Sequence, residues 1–157
     1  MPITLSVYNE IYEHQLKDFH LPEDQLQFTS LPLDKIQNPT ISPDTRHIVI
    51  LRDDTPVGYF ALENGDKLRK YSTNPKARLL TSFSIDARHQ GQGIAKEGLN
   101  QLPGFMRENL PETDEVVLGV NKRNQAAISL YLKTGFTDED EVYVGPKGPQ
   151  HVLHLNI

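Results

Sequence analysis

Cysteine is absent from the 157 residues. A chain without thiols has no disulfide frame and no thiolate metal site, and a reducing cytoplasm is its simplest expected home. Long apolar runs are missing too. No stretch approaches the roughly 18 to 20 residues that cross a bilayer, which argues against a membrane location. The opening Met1-Pro2-Ile3-Thr4-Leu5-Ser6-Val7 has neither the basic start nor the apolar centre of a signal peptide. Positive charge is scarce: 16 Lys and Arg stand against 21 Asp and Glu, a net charge of -5. That balance argues against nucleic acid as the main partner. Internal repeats and low-complexity segments are also lacking. What is present, 37% hydrophobic and 24% charged residues, suits a soluble globular chain. The length suits one domain over residues 1–157 with a sizeable core.

Periodicity gives an element order. Alternating Ile3, Leu5 and Val7 read as a first strand. Glu10 to Phe19 reads as a short helix with Ile11, Leu16 and Phe19 inward, and Pro22 stands near the start of a second. Residues 29–47, rich in Pro, Ser, Thr and Asn, read mainly as loop with a short helical turn, a length that often signals function. His47–Leu51 and Pro56–Leu62 form a hairpin about Asp53-Asp54. Lys67, Arg69, Lys70, Lys76 and Arg78 make a basic connection, either a solvated loop or an anion patch. Leu79–Ile85 is a buried strand. The next helix carries Ile94, Leu99, Leu102 and Phe105 and is broken late by Pro103. Val116–Val120 is another strand, Asn124–Lys133 a helix stopped by Gly135, and Val142–Val144 and Val152–Leu155 are two last strands. The sum is a mixed α+β layer structure.

The run Gln90-Gly91-Gln92-Gly93-Ile94-Ala95 lies between a strand and a helix. Backbone N–H groups and the positive helix end at such a turn bind phosphate. A P-loop needs Lys and Ser or Thr after its last glycine, where Ile94 and Ala95 stand. A dinucleotide fingerprint needs a third glycine at Lys96 and an acid near Val120-Asn121, and has neither. A ligand-free structural turn stays open. A third phosphate reading comes from similarity: the run resembles the Q/R-x-x-G-x-G/A pyrophosphate loop of the GNAT (Gcn5-related N-acetyltransferase) superfamily. A second run, Asn124-x-x-Ala127-x-x-Leu130-Tyr131-x-x-x-Gly135-Phe136, is similar to that family's second cofactor helix. The resemblance covers residues 47–157 by motif and 1–46 by topology alone. It departs at Ala87, where the family often has proline.

The resemblance implies a central, mostly antiparallel sheet of six to seven strands, splayed between the fourth and fifth and flanked by helices. It implies acetyl-CoA as cosubstrate, no metal, and N-acetylation of a primary amine on a small molecule or peptide in a ternary complex. Gln90, Gly91, Gln92, Gly93, Ile94 and Ala95 would bind the pyrophosphate, with Arg88 or Lys96 adding charge. Phe83, Ser84 and Ile85 would pair with the pantetheine, and Asn124 would lie near it. Tyr131 stands where the family commonly has its general acid, and would also touch the cofactor. A phenol is neutral at pH 7 and can protonate the leaving thiolate. The strand Thr81 to Ser84 lacks the glutamate that some relatives use as base, so Glu63 is the first candidate, with His47 and Asp86 as alternatives. His151 and His154 do not form a metal-ligand pattern. The acidic run Thr137–Glu141 is either a solvated loop or an attraction for a cationic amine near the acceptor groove. A binding or sensing module of the same fold without turnover, or a nucleotide-binding protein, are the competing readings. A homodimer through the C-terminal strands is compatible with the family.

Overall fold

The computed structural model describes residues 2–157. Its frame is one seven-stranded sheet in the order β1-β2-β3-β4-β5-β7-β6. The strands are β1 (Ile3–Val7), β2 (Arg46–Arg52), β3 (Thr55–Glu63), β4 (Ala77–Ile85), β5 (Glu115–Asn121), β6 (Thr137–Gly145) and β7 (Gly148–Asn156). Only β4 and β5 pair in parallel, and only at Ala77–Glu115, Arg78–Val116 and Leu79–Val117. Beyond Leu79 the two strands part. This is the expected α+β architecture, splay included.

The parting has a local cause. Tyr59 faces Ser84 and Ala61 faces Thr81, so Phe60 alone opposes both Ser82 and Phe83. Ser82 takes the left-handed φ of 58°. One extra residue of this kind bends its strand and sharpens the twist, which carries Leu80–Ile85 away from β5.

Alternation along the strands sends side chains to two layers. Ile48, Ile50, Phe60, Leu80, Leu118 and Leu153 lie on one face. There they meet α5 (Ile94–Asn100), α6 (Leu102–Asn109) and α7 (Gln125–Lys133) through Ile94, Leu99, Leu102, Met106 and Tyr131. Val49 and Leu51 turn to the other face, against Leu16 and Phe19 beside α1 (Glu13–Leu16). α3 (Pro32–Ile36) packs there too, and Leu68 of α4 (Asp66–Arg69) covers Leu79 and Val117. Each fully buried aliphatic side chain contributes about 1.5–3 kcal/mol relative to exposure.

Several elements depart from the sequence reading. The expected helix 10–19 is a 3₁₀ turn (Glu10–Tyr12) followed by the single turn of α1. Ile11, expected inward, is 73% exposed, while Leu16 and Phe19 are buried. The expected helix from Ile94 to Phe105 is two helices that meet at Gln101. Proline has no N–H and clashes with the carbonyl one turn back, so Pro103 serves only in the first turn of a new helix. Asp53 and Asp54 both adopt positive φ, 49° and 67°, the tight hairpin geometry that short acidic side chains tolerate. The acidic run Thr137–Glu141, read as either a solvated loop or an attraction for a cationic amine, is the first half of edge strand β6. Charge on a sheet edge discourages pairing with another chain.

Candidate active site

The splay opens a cleft of about 750 Å³. One wall is β4 from Leu80 to Ile85 and the other is Leu118–Asn121 of β5 with the start of α7. β3 pairs with β4 on its far side. The β5-facing edge of β4 past Leu79 therefore presents backbone groups without a ladder partner, ready for an amide-bearing chain laid alongside.

At the mouth, Asp86 ends β4 and caps the 3₁₀ turn Ala87–His89 by accepting from the Arg88 N–H (3.0 Å). Gly91 and Gly93 follow at φ 76° and 78°, which side-chain-bearing residues adopt only at a cost. A Cβ at either would meet nothing within 4 Å. The demand is thus on conformation, and the space in front of the turn stays open. α5 begins at Ile94, with Gly93 at its cap. The Gln90 side chain secures this turn: its Nε2 donates to the Ile85 carbonyl (2.8 Å) and to Gln25 Oε1 (2.9 Å), and Gln25 Nε2 donates back (3.2 Å).

Gln25 belongs to α2 (Glu23–Leu26), which with the following residues roofs the cleft. Lys147 Nζ, from the β6–β7 turn, donates to the Gln27 carbonyl of this roof (2.5 Å). The Arg123 guanidinium lies 5.8 Å from the Phe28 ring centre.

Every residue assigned to the cofactor from sequence lines this cleft except Gln92, whose side chain is exposed. Asn124 caps α7, its Oδ1 accepting from the Ala127 N–H (3.3 Å). The Ser84 hydroxyl is buried and without a hydrogen-bond partner. Tyr131 is 7% exposed, edge-on to Phe83 (6.1 Å) and Phe136 (5.5 Å). Its hydroxyl makes no hydrogen bond to the described residues. Burial raises its phenol above the ordinary value, because the anion loses solvation.

Of the three base candidates, His47 and Glu63 are close enough for the Glu63 charge to act on the His47 ring, while Asp86 lies past the other end of β4. Asp86 is engaged by Arg88, which also holds Asp18 (2.8 Å). Burial alone would raise the Asp86 carboxyl, but the Arg88 contacts outweigh it and hold it below the usual range. Arg88 is therefore spoken for and does not add free charge at the turn. His47 Nδ1 is hydrogen-bonded to the Tyr59 hydroxyl (2.6 Å); burial, then the Lys35 charge, lowers its pKa, so the ring is neutral at pH 7. Glu63, 6% exposed, accepts from Lys35 Nζ (2.9 Å), Lys67 Nζ (3.1 Å) and the Thr81 hydroxyl. Burial pushes its carboxyl up, yet the Thr81 and Lys35 hydrogen bonds and the two lysine charges bring it below the usual value. None of the three lines the cleft, but Thr81 and Lys67 do. Lys35, Thr81, Tyr71 and Gln150 carried no sequence signal, because their partners lie 18 to 79 residues away.

The acidic strand does not reach the cleft. Glu141 Oε1 accepts from His154 Nε2 (2.8 Å) while Glu115 Oε2 accepts from Nδ1 (3.1 Å), with Glu139 3.6 Å away.

A turn that opens a helix, a splayed strand pair and a buried tyrosine on the facing helix form the same constellation that the resemblance implied. A family model described as the acetyltransferase (GNAT) family matches residues 8–136. The chain belongs to the GNAT family. Over 153 residues it is 41% identical to an uncharacterized N-acetyltransferase, YbbJ, of Bacillus subtilis (strain 168), covering 97% of this chain and 96% of that one. Two solved structures share the fold at low identity. Aminoglycoside acetyltransferase AAC(6')-Ib, solved with ribostamycin and coenzyme A, superposes with a TM-score of 0.78 at 18% identity, over 99% of this chain and 94% of that one. Spermidine N-acetyltransferase from Vibrio cholerae, solved with CoA and spermine, gives 0.71 at 17% identity, over 98% and 95%. By family this chain is a GNAT N-acetyltransferase. Among its described residues no helix is long and apolar enough to cross a membrane.

Proposed function

We propose that this GNAT enzyme acetylates a primary amine of a small molecule or peptide by direct attack, with donor and acceptor held together in the cleft. The observation that carries the reading is Tyr131, a buried side chain in the cleft lining whose hydroxyl has no hydrogen-bond partner among the described residues. The cleft also fits the donor: an open glycine turn for pyrophosphate at the mouth, unladdered β4 backbone along one wall, and the unpartnered Ser84 hydroxyl between. Acetyl-CoA supplies the thioester carbonyl that the amine attacks.

Gln90 to Ala95 hold the pyrophosphate through backbone N–H groups, and Phe83, Ser84, Ile85 and Asn124 line the pantetheine path. As the C–N bond forms and the C–S bond breaks, Tyr131 donates its proton to the leaving sulfur. The burial that raises the phenol also raises the proton affinity of a thiolate beside it, so the two stay matched. The amine sheds its proton through the Thr81 hydroxyl to Glu63, the one base candidate that reaches the cleft, through a neighbour. Asp24 is the only acidic side chain among the described residues that lines the cleft. That scarcity favours a second reading, a module that binds acyl-CoA without turnover.

Calorimetric titration with acetyl-CoA, followed by release of the CoA thiol across a panel of amines, separates the two. The chain contributes no thiol background of its own. Tight binding with amine-dependent CoA release is expected. Tight binding with no release for any amine supports the module.

A further inference from the structure

The charges at the inner end of the cleft bear on the acceptor. Glu63 is one carboxylate shared by two ammonium groups. Lys35, buried within hydrogen-bond range at 2.9 Å, already neutralises it. Lys67 is therefore a surplus cation. Its side chain is half exposed, at 49%, and it lines the cleft beside Thr81 and Tyr71. The wall behind it is built: Tyr71 Oη donates to Gln150 Oε1 (2.9 Å) and its ring packs 4.7 Å from Tyr143. Gly119 leaves room for this pair, since a Cβ there would overlap both Gln150 and the Tyr71 ring.

Position along β4 separates this end from the phosphate end. The glycine turn follows Ile85, and Thr81 lies four residues back, about 13 Å at strand rise. Lys96 and Lys147 line the mouth and the roof, so the lining cation at the Thr81 end is Lys67. A polycationic acceptor needs carboxylates around it, and the cleft offers only Asp24. The acidic strand expected to draw such an amine is instead turned towards His154.

Resting on the N-acetyltransferase reading above, we propose that the acceptor is an amine that also carries a carboxylate, an α-amino acid in the first instance, and that Lys67 binds that carboxylate. Lys67 Nζ and Thr81 Oγ1 share Glu63 Oε2 as acceptor. They therefore lie within two hydrogen-bond lengths, roughly 6 Å, a span that an α-amine and its own carboxylate can bridge. The amine nitrogen forms the new C–N bond, the thioester C–S bond breaks, the released proton passes to Thr81 and Glu63, and the carboxylate is unchanged.

The test measures CoA release with the twenty amino acids, their methyl esters, spermidine and kanamycin, on wild type and on Lys67→Gln. Expected is turnover of at least one amino acid, with KM raised tenfold or more by esterification. Lys67→Gln should raise KM for the acid at least tenfold more than it changes KM for the ester. Preference for spermidine or kanamycin over every amino acid overturns the proposal and leaves the acetyltransferase reading standing. So does an equal effect of Lys67→Gln on acid and ester. Acetyl-CoA binding without release for any amine overturns both.

Discussion

Replacing Tyr131 by phenylalanine separates chemistry from packing. The ring sits edge-on to Phe83 and Phe136 inside the main core, and phenylalanine keeps those contacts. The hydroxyl has no hydrogen bond to lose, so the cost of an unsatisfied partner does not arise. Unfolding free energy should therefore change by less than about 1 kcal/mol. Catalysis is another matter. A positioned general acid contributes about 10²–10⁴-fold, or roughly 3–5 kcal/mol of barrier at 1.36 kcal/mol per decade. We expect kcat to fall at least a hundredfold, with the acetyl-CoA Kd within about twofold of wild type. Because burial holds the phenol above its ordinary pKa of 10.0, the donor stays protonated across the assay range. Any alkaline loss of wild-type activity below pH 10 then belongs to another group and should persist in the variant. Urea titration, isothermal calorimetry and stopped CoA-release assays from pH 6 to 10 measure the three quantities. An unchanged kcat, or an alkaline limb that vanishes with the hydroxyl, refutes the assignment.

Lys35→Met should destabilise the fold by about 3 kcal/mol, since breaking a buried pair strands its partner; Lys67 keeps the value at the low end. Pairing it with Glu63→Leu should recover most of the loss, and a single-variant loss under 1 kcal/mol in urea unfolding would contradict the network. Burial lowers the His154 pKa, but its bonds to Glu115 and Glu141 outweigh this and raise it above 6.5. Its stabilisation is therefore complete below pH 6.5 and is lost as pH rises through the folded value. His154→Gln should flatten the decline in unfolding free energy above pH 6.5, and parallel curves for the two proteins would reject the clamp. Gly93→Ala, forced to φ near 78°, should cost about 1–2 kcal/mol. It should also weaken acetyl-CoA binding by calorimetry while Tyr131-dependent chemistry at saturation is retained. Unchanged affinity would mean that the turn does not hold the donor.

The legible parts of this chain were those written in local spacing. Alternation placed β1 and apolar runs placed β2 to β5, though β4 begins two residues before its apolar run because Ala77 and Arg78 join the β5 ladder. The glycine turn and the Asn124–Tyr131 spacing placed the cleft's mouth and one wall. Ile11 defeated the helical reading because the segment is only a 3₁₀ turn and a single helical turn, too short to keep one face inward. The acidic run defeated the loop reading because its charges sit on an outer sheet edge, where solvation and His154 accept them.

By itself, the order of residues determined the glycine turn, the strand and helix on either side of it, and the tyrosine that lines the same cleft. Those features depend on backbone conformation and on neighbours within a few positions. Tertiary structure alone decided the end of the cleft proposed for the acceptor. Glu63, Lys35, Lys67 and Thr81 come from β3, α3, α4 and β4 and share one carboxylate oxygen. Their net charge follows from which groups are buried together, and distance along the chain carries no record of that.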